Sequence, residues 1–311
     1  MHDASGRRGR VWNVASMNSP GKGLLLASLG AVLLSVDTLL LRLIHGDPFQ
    51  MAFARGLLML LAGVVVTLFR HGSGWRTVAR GWAARAVIVC YGLSSVTFVL
   101  SAMMTTISNM LTLIATAPLW AALGAGVFFK DWPPPRTWLA CACALLGVVT
   151  VVWPSFSTRA AIGAGDALAL ATALLMAGAL LLSRRSCGDL ALAPAFGGLL
   201  AAVVLLPFVP RAAFPDGTQM LLMALEGALV VPLALGMIAA SARMLPAPQV
   251  GLFLLIETVL GPFWIWAFLG ETPTRYAIIG GSMVVMSLAM HGAFALRASR
   301  AASAARRSVR R

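Results

Sequence analysis

The sequence predicts an all-α integral membrane protein of ten transmembrane helices arranged as two inverted five-helix repeats. Three observations carry that expectation. Hydrophobic residues make up 59% of the 311 positions and charged residues only 11%, with a mean hydropathy of +0.88, too little polar surface for a soluble globule of this size. The apolar residues fall into runs of about 20, the length that crosses a hydrocarbon core as a helix. Two of those runs are variants of one another at an offset of 140 residues: Ile114 to Asp131, which includes Pro118 and ends Lys130-Asp131, and Leu254 to Glu271, which includes Glu257-Thr258 and ends Gly270-Glu271. Each then enters another apolar run through a Pro-containing turn, at Pro133 to Pro135 and at Pro273.

Taken in order, the ten expected spans are 23–43, 49–69, 84–105, 107–129, 137–153, 162–183, 190–209, 218–240, 249–269 and 276–296. The first contains Asp37 and an apolar core longer than that of a signal peptide, and it lacks a small-residue cleavage site, so it reads as a retained span. The second follows the tight turn Gly46-Asp47-Pro48. Only Ser, Thr and Asn separate the third from the fourth, and the fifth is short. Carried backward, the repeat pairs 23–42 with 165–184, each beginning at glycine and ending in arginine. Five spans per half oblige the second half to enter the membrane upside down, the architecture that frames a midplane site in many secondary transporters. The expected organisation is a polar basic tail at 1–22, one five-helix repeat at 23–155, a second at 160–296, and a basic tail at 297–311. Residues 1–16 read either as a disordered tail or as sequence upstream of the true start.

The formal net charge of +14 invites a nucleic-acid reading, but the positions of the basic residues exclude it. With the N-terminus cytoplasmic, nineteen of the 24 Lys and Arg fall in cytoplasmic segments, as the positive-inside rule requires. Both termini are then cytoplasmic, the protein is multi-pass in the cell (inner) membrane, and the C-terminal arginines meet anionic lipid headgroups. Trp75, Trp82, Trp132 and Trp153 stand at span ends as interface anchors. Cys90, Cys141, Cys143 and Cys187 form no disulfide framework. The four histidines lack metal-ligand spacing, and neither a nucleophile motif nor a phosphate-binding glycine loop is present. No catalytic residue, metal or cofactor is therefore expected, and the chain reads as a non-enzyme.

Ionisable groups at membrane depth are costly and face a partner or a wet cavity. Asp37, Arg55, Glu226 and Glu257 all fall between the midplane and the outer leaflet in this topology, so they can converge on one substrate or ion pathway. Asp37 and Arg55 stand on adjacent helices and form either a structural ion pair or a substrate counter-ion pair. Arg55 equally suits pairing with Glu257 or holding a substrate carboxylate. Glu257 suits a group that loads and releases a proton, or one that hydrogen-bonds a neighbouring helix. Glu226, beside Gly227, is either interfacial or functional. Among the Ser, Thr and Asn residues of the third and fourth spans, which more often satisfy local carbonyls, Asn109 is the remaining polar pathway candidate. Trp120 and Trp264 lie near the prolines, where an aromatic can cap an apolar ligand. Pro118 and Pro262 are expected to interrupt their helices after Ala117 and Gly261, as kinks or hinges. Gly124, Gly126, Gly280 and Gly281 permit close helix contact.

On Pro118, Glu257, Gly270-Glu271 and Arg55, the chain resembles the drug/metabolite transporter superfamily in its ten-span EamA-type branch. It departs from that pattern at Lys130-Asp131 and Glu257-Thr258. The resemblance implies alternating-access export of a small organic molecule, an amino acid or an amphiphile, with proton coupling as one option. The readings kept beside it are an uncoupled facilitator or exchanger and a non-transporting membrane scaffold. Internal duplication lets one chain supply both halves, so monomer and homodimer both remain open.

Overall fold

The structure, a computed structural model, describes residues 20–44, 47–71, 81–105, 107–156, 163–186, 190–210, 217–270, 275–276, 278–287 and 289–290. Among these residues helices are joined by turns and loops, without strands. The helices are α1 (Pro20–Leu43), α2 (Pro48–His71), α3 (Trp82–Met104), α4 (Ile107–Ile114), α5 (Ala117–Phe129), α6 (Pro135–Phe156), α7 (Ala164–Ser183), α8 (Ala193–Leu205), α9 (Gly217–Ala224), α10 (Val231–Ser241), α11 (Ala247–Leu269) and α12 (Ile278–Ser287). A 3-10 turn at Leu206–Phe208 follows α8, and a π-helical turn at Leu225–Val230 joins α9 to α10.

Six helical stretches among the described residues are long and apolar enough to cross a membrane: Gly21–Leu41, Phe49–Phe69, Trp82–Ala102, Ala164–Ser183, Gly217–Ser241 and Ala247–Phe268. The expectation of ten such helices is corrected to six, with four shorter apolar helices at Ala117–Phe129, Pro135–Thr150, Ala193–Phe208 and Ile278–Ser287. Proline shortens two of them. Pro118 has no N–H for the carbonyl of Ile114, and its ring crowds that carbonyl. The helix therefore ends at Ile114 and restarts at Ala117, where a proline in the first turn costs nothing. The break thus falls before Ala117 rather than after it. Its loose groups are tied locally: Thr116 Oγ1 donates to the Leu113 carbonyl at 2.6 Å and accepts from Trp120 Nε1 at 3.0 Å. Pro207 likewise stands in the 3-10 turn that ends the α8 segment. Pro262, by contrast, does not interrupt α11, which runs continuously from Ala247 to Leu269.

The packing is small inside and large outside. Ala27, Ala31, Ala84, Ala121, Ala173 and Ala234 are fully buried, whereas Phe69 and Phe128 are 87% and 76% exposed. That order suits lipid as the surrounding solvent, because the attraction between helices then comes from close approach of small residues and large apolar side chains need no cover. The principal packing partners are α3 with α7 and α8, α2 with α8 and with the π turn, α1 with α10 and α11, and α5 with α7 and α11. At the α2–α8 crossing the backbones touch. A Cβ on Gly56 would lie 2.7 Å from the Gly198 carbonyl oxygen, and one on Gly198 would run into that of Gly56.

Candidate functional site

Arg55 stands in the second turn of α2, facing α1, and its fork meets the Asp37 carboxylate in two parallel bonds, Nη1 to Oδ1 at 3.2 Å and Nη2 to Oδ2 at 2.9 Å. A second acid reaches the same guanidinium from the other half of the chain: Glu226 Oε1 lies 2.6 Å from Arg55 Nη1. That contact is off the N–H direction, so it is an ion pair rather than an aligned hydrogen bond. Asp37, Arg55 and Glu226 are 1%, 5% and 2% exposed, so the cluster is withdrawn from its surroundings on every side.

The local sequence explains how Glu226 gets there. It lies in the π turn, where the Val231 N–H bonds back to the Glu226 carbonyl. The extra residue per turn appears just before Pro232, whose missing N–H breaks the ordinary ladder, and such bulges recur at functional positions. Gly227 then admits α2: a Cβ there would lie 3.2 Å from Arg55 Cα and 3.0 Å from Leu58 Cβ. The Arg55 guanidinium also sits 5.7 Å from the centre of the Phe98 ring on α3, within the range of a cation–π contact. Its Nε has no hydrogen-bond acceptor among the described residues.

The expected site residues thus separate into groups. Asp37, Arg55 and Glu226 converge, with Glu226 buried in the helix packing. Glu257, on α11, is partly buried and close enough for its charge to act on Arg55. Trp264 joins α11 to α1 by donating its indole N–H to Ser35 Oγ at 2.8 Å, two residues before Asp37. Trp120 is bound to its own helix through Thr116 and forms part of an outward cleft of about 260 Å³ with Leu123, Val127, Leu174 and Leu181. Pro118 packs on Gly251 at the α5–α11 crossing. The side chains of Asn109 and Pro262 lie outside the described residues.

The hydroxyls of the third span serve the fold. Ser94 bonds the Tyr91 carbonyl, Ser101 bonds the Gly165 carbonyl at 2.8 Å, and Thr97 meets Thr172 of α7 at 2.7 Å. Among the described residues no group of three His, Cys, Asp or Glu side chains converges as a metal site. Two contributors were not visible in the sequence. Phe98 is one of 14 phenylalanines with no periodicity to distinguish it, and Ser35 gave no signal except its place two residues before Asp37.

No protein-family model matches the chain, and no curated protein matches it. Among solved structures, its fold is similar to that of a chain described only as "Crystal structure of protein", with a TM-score of 0.73 and 17% sequence identity over 87% of this chain and 97% of that one. At that identity the likeness concerns the fold alone.

Proposed function

We propose that the protein is a secondary transporter of a small organic molecule and that the Asp37–Arg55–Glu226 cluster is its coupling element. The observation that carries this reading is two buried carboxyl groups on one buried guanidinium, at the seam between the halves of the chain. With all three groups ionised, the cluster holds one negative charge in excess. An isolated charge is costly in such a place, so the cluster calls for a proton or another cation. A proton on Glu226 would cancel the excess and leave Arg55 on Asp37. Its release would draw Glu226, and the second half with it, onto Arg55. That is a switch linking ion binding to the relation of the two halves.

The packing supports the inverted repeat that alternating access needs. Exchange of the halves turns α1 on α10 into α7 on α3, and α1 on α11 into α7 on α4 and α5. It also turns α3 on α8 into the π turn and α10 on α2, while α2–α8 and α5–α11 map onto themselves. The glycines follow the same exchange: Gly23 meets Met244 and Leu245 at one end, and Gly165 meets Met104 and Thr105 at the other. In support of the reading, the six long helices and four shorter apolar ones among the described residues follow one another in the order that two five-helix units would require. On this reading the fourth span is α4 with α5 and the eighth is α9 through α10. The resemblance to EamA-type transporters adds export across the inner membrane, with both termini cytoplasmic and a small amino acid or amphiphile as cargo.

The test is reconstitution in liposomes and pH-gradient-dependent efflux of a metabolite panel, comparing wild type with Glu226→Gln, Asp37→Asn and Glu257→Gln. Gradient-driven efflux that Glu226→Gln abolishes in a folded protein supports the coupling role. Efflux indifferent to the gradient assigns a facilitator or exchanger. No efflux of any compound, with the three variants altering stability alone, favours the scaffold.

A further inference from the structure

A second feature lies apart from the charge cluster, along the outward side of α6 and α12. These helices are locked together at two levels. A Cβ on Gly147 would lie 2.7 Å from the Gly280 carbonyl oxygen, and Ser287 Oγ donates to the Ala140 carbonyl at 2.9 Å. Beside that contact runs a cleft of about 480 Å³, a volume in the range of small-molecule sites. Its wall is apolar and adaptable, with Met283, Met286 and Met290 on one side and Ala140 and Cys143 on the other. The two serines that border it are spent: Ser287 on Ala140, and Ser282 on the Ile278 carbonyl at 2.8 Å. Among the described residues one charge borders it, Arg136, in the first turn of α6.

Arg136 is exposed and has no ion-pair partner among the described residues. The acid nearest to it in sequence, Asp131, is held by Arg184 at 3.0 Å. Among the described residues no acid borders the cleft. Trp132, four residues before Arg136 in the turn that leads into α6 and 60% exposed, is the residue type that marks the level of lipid headgroups. An apolar cleft with a cation at its headgroup end complements one kind of occupant, an amphiphile with a hydrocarbon chain and an anionic head.

We propose that this cleft is a binding site for an anionic phospholipid, one acyl chain lying along the methionines and the phosphate on Arg136. The proposal rests on the helices crossing a bilayer and is independent of transport.

Native mass spectrometry of the full chain in detergent tests it, with phosphatidylglycerol and phosphatidylcholine of identical acyl chains as probes. Wild type retains phosphatidylglycerol in preference. Arg136→Gln lowers that preference roughly fivefold, the factor a single basic residue near an anionic surface supplies, and leaves phosphatidylcholine unchanged. Arg136→Lys keeps most of the preference. Met286→Trp, at a position 62% exposed and so tolerant of the larger side chain, fills the cleft and reduces retention of both lipids. Equal retention of the two lipids by wild type would overturn the proposal, as would a preference indifferent to Arg136→Gln or retention indifferent to Met286→Trp. Disulfide-linked dimers through Cys143, formed under oxidation in lipid-saturated protein, would also overturn it by assigning the cleft to a second copy.

Discussion

At Lys130 and Gly270, 140 residues apart, α5 and α11 end in the same left-handed residue, with φ of 55° and 72°. The helices that lead there differ. α11 runs unbroken through Pro262, whereas its counterpart is cut between Ile114 and Ala117. The halves differ more sharply in charge. At the offset of 142 that relates Gly56 to Gly198, Asp37 corresponds to Ala179 and Arg55 to Gly197, both buried in small-residue packing. On the proposed repeat, the positions that correspond to the charges of α1 and α2 carry small buried residues. The third charge, Glu226, comes from the C-terminal half of the chain, so the cluster ties residues far apart in sequence together.

The strongest way to break that comparison is to remove the shared cation. Arg55→Met leaves Asp37 and Glu226 buried without their partner and should destabilise the protein by about 3–5 kcal/mol, read as a lowered unfolding midpoint in detergent. The triple variant Asp37→Asn, Arg55→Met, Glu226→Gln removes the stranded charges as well and should recover most of the loss, since a buried ion network adds little net stability over neutral packing. If the triple variant were as unstable as Arg55→Met, the cluster would be holding the halves together rather than serving a separate purpose.

A smaller effect is expected where the copies meet on themselves. Gly198→Val drives a branched side chain into the Gly56 carbonyl at the α2–α8 crossing, and overpacking of this kind costs about 1–3 kcal/mol. Gly56→Val should cost a similar amount, because the contact is reciprocal. A large difference between the two would show that the crossing is not equivalent from its two sides.

Much of this arrangement was legible in the sequence, and the rest was hidden for physical reasons. Apolar run lengths located the long helices, and the charged residues inside apolar runs included Asp37, Arg55 and Glu226, whose side chains meet in the fold. The sequence did not say which acid pairs with Arg55. Glu257 seemed the deeper and more isolated carboxylate by residue count, but rise per residue places a group only along a helix. Glu226 reaches Arg55 from within a π turn, and no pattern of residue types announces an i→i−5 bond. Span length was misjudged for a related reason. A run of about 20 apolar residues is uniform in hydropathy, while Pro118 cuts its helix through a hydrogen bond that hydropathy does not register.

The two ends of the repeat offer a paired test of about 1 kcal/mol in each direction. Lys130 holds a left-handed backbone that costs an L-residue with a Cβ roughly 1–2 kcal/mol, so Lys130→Gly should raise the unfolding midpoint. Gly270 already has the permissive residue, so Gly270→Ala should lower it by a like amount.

The smallest expected effect decides what the turn after α5 is for. Lys130-Asp131 stands where the second half has Gly270-Glu271, and its acid pairs with Arg184 at 3.0 Å. Both side chains are well exposed, 41% for Arg184 and 62% for Asp131, and solvent-screened pairs of this kind contribute at most about 0.5 kcal/mol. Asp131→Asn should therefore leave the unfolding midpoint nearly unchanged at low and at high salt, while Lys130→Gly in the same protein shifts it. That outcome would make the turn a matter of backbone conformation, which the first half maintains without glycine. A salt-dependent loss in Asp131→Asn larger than the gain from Lys130→Gly would reverse the order and make the acid the feature that the two halves share.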